Sequence, residues 1–82
     1  MNPEDIEQIL DALHAGRSVS WRYDGDRGCM DSIAFDITRQ QFVWTQREVH
    51  EATLETRYTR DELRTILLGA SHLRRHYFAD VL

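Results

Sequence analysis

The spacing of apolar residues changes period at Gly16. Before it, Ile6, Ile9, Leu10 and Leu13 recur at intervals of three and four, which makes one apolar stripe on an α-helix. After it, Val19, Trp21 and Tyr23 alternate with Ser18, Ser20, Arg22 and Asp24, the period of a strand with one face in a core. A helix and a half-buried strand therefore open the chain. With 82 residues in all, one core has to serve every element.

The first helix carries its own start and stop signals. Asn2 is a candidate N-cap, Pro3 suits the first helical position, and Glu4 and Asp5 lie where the helix dipole favours negative charge. Gly16 accepts the left-handed conformation that commonly ends a helix, so the expected span is Pro3 to Ala15. Asp24-Gly25-Asp26-Arg27-Gly28 after the first strand has the glycines and aspartates of a hairpin turn. Ile33, Phe35 and Ile37 then alternate in a second strand, and Phe42 with Trp44 begin a third. Ala52, Leu54, Thr56 and Tyr58 alternate with Thr53, Glu55 and Arg57, as a fourth strand or as a bent continuation of the third.

Thr59-Arg60-Asp61-Glu62 reads as a capping box, and Leu63, Ile66, Leu67 and Ala70 give the second helix its apolar face. Leu73, Tyr77 and Val81 would extend that face, but Gly69-Ala70-Ser71 favours a kink or break. The expected fold class is α+β, as one domain over residues 1–82. An N-terminal helix, a three- to four-stranded antiparallel sheet and a C-terminal helix, broken near Gly69, pack with the helices on one sheet face.

Charge and cysteine content narrow the function classes. The net charge of −4 disfavours general attraction to nucleic acid or anionic membranes, and all ten basic residues are arginine. Cys29 is the only cysteine, which rules out an internal disulfide and a cysteine-built zinc site. An acidic start without an apolar leader, and the lack of any 20-residue apolar run, lead us to expect a cytoplasmic protein with no membrane span.

Candidate chemistry is sparse. Asp24, Asp26 and Asp31 resemble part of a calcium loop, but Gly28 and Phe35 stand where further ligands are needed. His72 and His76 are one helical turn apart without a third ligand, beside the cationic Arg74 and Arg75. Cys29 lacks a nucleophile motif, and the chain has neither a Gly-x-Ser-x-Gly elbow nor a phosphate-binding loop. No metal, no cofactor and no enzymatic activity are expected.

Surfaces remain as the candidate functional features. Glu4, Glu7 and Asp11 recur on one stripe of the first helix, an acidic strip suited to steering toward a basic protein such as a nuclease toxin. Arg22, Arg47 and Arg57 alternate onto the sheet face opposite the aromatic residues, among small polar neighbours. Edge-strand pairing into a homodimer is a further route to association. A different class, a DNA-binding regulator, would read Asp61–Phe78 as a helix-turn-helix that presents His72, Arg74 and Arg75 to phosphates.

The order of helix, strands and helix in a short acidic chain resembles the architecture of many small bacterial immunity and inhibitor proteins, without sharing a diagnostic motif. The leading expectation is an antitoxin-like binding module that acts on a partner protein by surface complementarity.

Overall fold

The computed structural model describes residues 1–23, 28–48 and 51–82. The expected hairpin turn at Asp24–Arg27 lies outside the described residues. Helix α1 spans Pro3–His14. The Asn2 side chain accepts the Asp5 backbone N–H at 2.8 Å, and Pro3 occupies the first turn, so the N-terminal orphan amides are partly satisfied from the start. The helix ends one residue earlier than expected, where Gly16 takes φ +102° and the Gly16 and Arg17 amides bond back to Leu13 and Ala12. Ile6, Ile9, Leu10 and Leu13 are fully buried.

Four strands follow as an antiparallel meander in the order β1-β2-β3-β4: β1 Val19–Trp21, β2 Cys29–Asp36, β3 Gln41–Glu48 and β4 Leu54–Tyr58. The run from Leu54 to Tyr58 is therefore a separate edge strand. Strand β2 starts earlier than the Ile33–Ile37 alternation indicates and stops before Ile37, which is 75% exposed. Asp36 is the cause of that stop. Its carboxylate accepts the Thr38 and Arg39 amides at 3.0 and 3.3 Å, turning the chain, and Gln40 completes the reversal at φ 55°.

Helix α2 spans Arg60–Gly69 behind a complete capping box: Glu62 N–H donates to Thr59 Oγ1 at 3.2 Å and Thr59 N–H to Glu62 Oε1 at 2.8 Å. The expected break follows. Ala70 leaves the helix at φ −86° and ψ 93°, and the chain resumes as a 3-10 segment, Arg75–Val81, kinked at Phe78. That segment inserts Tyr77, Phe78 and Val81 into the core.

Both helices and the 3-10 segment pack on one face of the sheet, α1 against β2, α2 against β3 and β4, and the 3-10 segment against β1. Between the layers, Trp21 stacks on Tyr77 at 5.9 Å and 9° and meets Trp44 edge-on at 5.6 Å. These rings and the aliphatic stripe of α1 form one contiguous core. Among the described residues no helix is long and apolar enough to cross a membrane.

Candidate protein-docking surface

With every described helix on one side, no described element covers the other sheet face. Strand parity and register define it: Ser20, Ser32, Thr45 and Glu55 form one row across the four strands, and Ala34, Val43 and Arg57 form the next. Met30 pairs with Arg47 on the same face. Arg22, one residue past β1, continues the parity of Ser20 and is exposed, so the β1–β2 register carried one step further sets it beside Met30. The middle of this face is small and weakly polar, and one end carries a half-buried methionine flanked by two exposed arginines.

The three sheet arginines differ in what they already hold. Arg57 is committed within the fold, donating to Asp36 Oδ2 at 2.9 Å and pairing with Glu55 at 2.9 Å. This guanidinium, with the Arg39 and Thr38 amides, holds the Asp36 carboxyl below the usual carboxylate range. The side chains of Arg22 and Arg47 form no hydrogen bond or ion pair among the described residues. Their forked donors remain available to an outside acceptor.

The acidic strip of α1 lies on the opposite side of the molecule and is largely spent on the neighbouring helix. Glu7 accepts from Arg64 through both carboxylate oxygens at 2.7 and 3.0 Å, and Arg60 sits between Glu7 at 3.5 Å and Asp11 at 2.6 Å. The Arg64 hydrogen bond is the main reason the Glu7 carboxyl is held below its ordinary value. Arg64 also pairs with Asp61 within α2. Only Glu4 of the strip makes no ion pair among the described residues. The two sets of sequence-predicted residues, Glu4, Glu7 and Asp11 against Arg22, Arg47 and Arg57, thus occupy opposite faces, and no single flat contact covers both.

Of the alternative DNA-facing set, His72 and Arg74 lie in the connection after α2, and Arg75 opens the 3-10 segment with its Nε donating to Asp5 at 2.9 Å. The segment after Gly69 forms no second α-helix, and Tyr77 and Phe78 are core residues, so the recognition helix of a helix-turn-helix is not formed.

Two features escaped the sequence. A cleft of about 280 Å³ lies between β1 and the 3-10 segment, lined by Ser20, Arg22, His76, Tyr77, Ala79 and Asp80, and so adjoins Arg22. Asp80, one of the lining residues, accepts a hydrogen bond from Arg17 at its backbone carbonyl. Nothing in the sequence relates residues so far apart. The second is Asp31, which is buried and accepts the Trp44 indole N–H at 2.8 Å and the Tyr23 hydroxyl at 3.0 Å. Its signal was present, because Asp31 shares parity with Ile33 and Phe35 on the core face of β2. Among the described residues no three His, Cys, Asp or Glu side chains gather as metal ligands. Compared with protein-family models, with curated proteins and with solved structures, the chain matches none.

Proposed function

We propose that this chain is a small protein-binding module of the inhibitor or immunity type, and that it docks through the uncovered sheet face with Arg22 and Arg47 as its anchors. The observation that carries this reading is the contrast in commitment. Glu7, Asp11 and Arg57 are occupied by internal ion pairs, whereas the guanidinium donors of Arg22 and Arg47, which flank Met30, have no partner among the described residues. Arginine and methionine are enriched at protein interfaces, and a guanidinium recognises a carboxylate through two parallel bonds. The matching partner surface carries carboxylates, so basic character elsewhere on the partner contributes less than the acidic strip of α1 indicates by itself. A rigid sheet presents these groups with little ordering cost on binding.

The test is affinity capture of the partner from the native cell, followed by titration with two sets of variants. Arg22→Ala with Arg47→Ala removes the proposed anchors, and Glu4→Gln with Asp11→Asn alters the opposite face. Loss of affinity in the first set alone supports the reading. Loss in the second set alone moves the interface to α1.

A further inference from the structure

We infer that β4 is a self-recognition edge through which two copies of this chain join their sheets, and this inference stands independently of the proposed docking partner. Strand β4 closes the sheet on one side, and no described strand pairs with its outer edge. Its backbone therefore offers a row of unpaired N–H and C=O groups, the usual template for strand addition. The sequence of the edge selects the occupant. Leu54-Glu55-Thr56-Arg57-Tyr58 is self-complementary about Thr56 when read antiparallel against itself.

A two-fold axis at Thr56 sets Glu55 opposite Arg57 of the second copy and Arg57 opposite its Glu55. It also sets Leu54 opposite Tyr58, and threonine opposite threonine. Directly opposed opposite charges, aromatic–aliphatic pairs and threonine pairs are all stabilising across an antiparallel ladder. Leu54 is 58% exposed, and Arg57 keeps Asp36 through one guanidinium nitrogen while its other nitrogen, now paired with Glu55 of its own chain at 2.9 Å, would be shared with Glu55 of the second copy in a four-charge cluster on the uncovered face. A one-residue shift of the two strands would oppose unlike faces and lose both charge pairs.

The neighbouring helix leaves room for this pairing. Arg60 and Arg64 mark the flank of α2 turned toward α1, so helical spacing puts Glu62, Ile66 and Gly69 on the other flank, toward the β4 side. Ile66 is only half-buried, and nothing lies within 4 Å of where a Gly69 Cβ would stand. The product is an eight-stranded sheet whose uncovered face runs unbroken across both copies. Two five-residue strands make a small interface, so dissociation is expected on the order of 100 µM.

Sedimentation equilibrium over a wide concentration range tests the pairing. The wild-type chain should dimerise reversibly. Glu55→Arg or Arg57→Glu alone should weaken dimerisation roughly tenfold, because each opposes like charges twice in the symmetric pair. An equimolar mixture of the two variants should regain wild-type affinity as a heterodimer, as should the double variant with itself. In a Cys29→Ser background, Thr56→Cys should oxidise readily to a disulfide dimer, since opposed Cα atoms lie about 5 Å apart. Thr53→Cys, with its copies roughly 20 Å apart, should not. A chain that stays monomeric up to about 1 mM, or a dimer indifferent to these charge changes and untrapped at position 56, overturns the inference.

Discussion

The indole nitrogen of Trp44 donates to the carboxyl of Asp31 at 2.8 Å, linking β3 to β2 diagonally across the ladder inside the core. Tyr23 donates to the same oxygen at 3.0 Å, so one buried acceptor satisfies two aromatic donors from different strand regions. The shared oxygen ties Trp44 of the core, and Tyr23 packed against that core, to one residue of β2. Asp31 lies on the same face of β2 as Ile33 and Phe35, the face turned to the core.

Asp31→Ala should therefore be among the most damaging single changes. It leaves two buried donors without an acceptor, and a loss of about 3 kcal/mol is expected in urea unfolding. Asp31→Asn keeps the shape and one acceptor and should lose less. Equal losses from the two substitutions would show that the acceptor is unimportant.

The two core tryptophans should respond differently to phenylalanine. Trp21 Nε1 is buried without a hydrogen-bond partner among the described residues, whereas Trp44 Nε1 is bonded to Asp31. Both substitutions lose ring volume, but only Trp44→Phe also takes a donor from Asp31. Trp44→Phe should be more destabilising than Trp21→Phe by about 1 kcal/mol in parallel denaturant titrations.

Stability should decline at both ends of the pH range for separate reasons. Arg64 holds Glu7 below its ordinary 4.5, and Arg57 holds Asp36 below 3.8, so both carboxylates bind protons more weakly in the folded chain. Their contribution is present above those values and is lost as pH falls through the lowered folded ones. Both sites are partly exposed, so the acid effect should shrink at high salt. On the alkaline side, burial and the Asp31 carboxylate push Tyr23 up from 10 to about 12. The folded chain then retains a proton that the unfolded chain releases, so stability should fall between about pH 10 and 12. Thermal unfolding of Tyr23→Phe should show a shallower alkaline decline.

The ion pairs between α1 and α2 should behave as a coupled set. Glu7→Gln and Arg64→Met, alone and combined, should give a non-additive cycle, because Arg64 bonds both oxygens of Glu7. Additive effects at low ionic strength would leave the helix pairing to Leu63, Leu67 and the apolar stripe of α1.

Much of the fold is legible in local sequence. The Asn2 cap, the stop at Gly16, the Thr59–Glu62 capping box and the break after Gly69 are each written within a few residues, and each forms. Ile37 reads as a core residue by alternation, yet Asp36 captures the following amides and ends β2 before it. The candidate surfaces were harder to read because charge in a sequence carries no partner. Glu7 and Arg64 are 57 positions apart, so the strip that looks acidic along α1 is balanced across the helix pair only after folding. Parity alone indicates that Arg22, Arg47 and Arg57 share a sheet face. That Arg57 is engaged by Asp36, while Arg22 and Arg47 are not, depends on strand register.

That difference in engagement leads to the decisive measurement, the dissociation constant of the captured partner for the wild-type chain and for Arg22→Ala/Arg47→Ala, with folding of both checked by circular dichroism. Docking through the uncovered sheet face gives a loss of affinity of roughly 100-fold or more, as two carboxylate-binding anchors are removed. An unchanged dissociation constant in the folded double variant would contradict it and leave the sheet face without a role in binding.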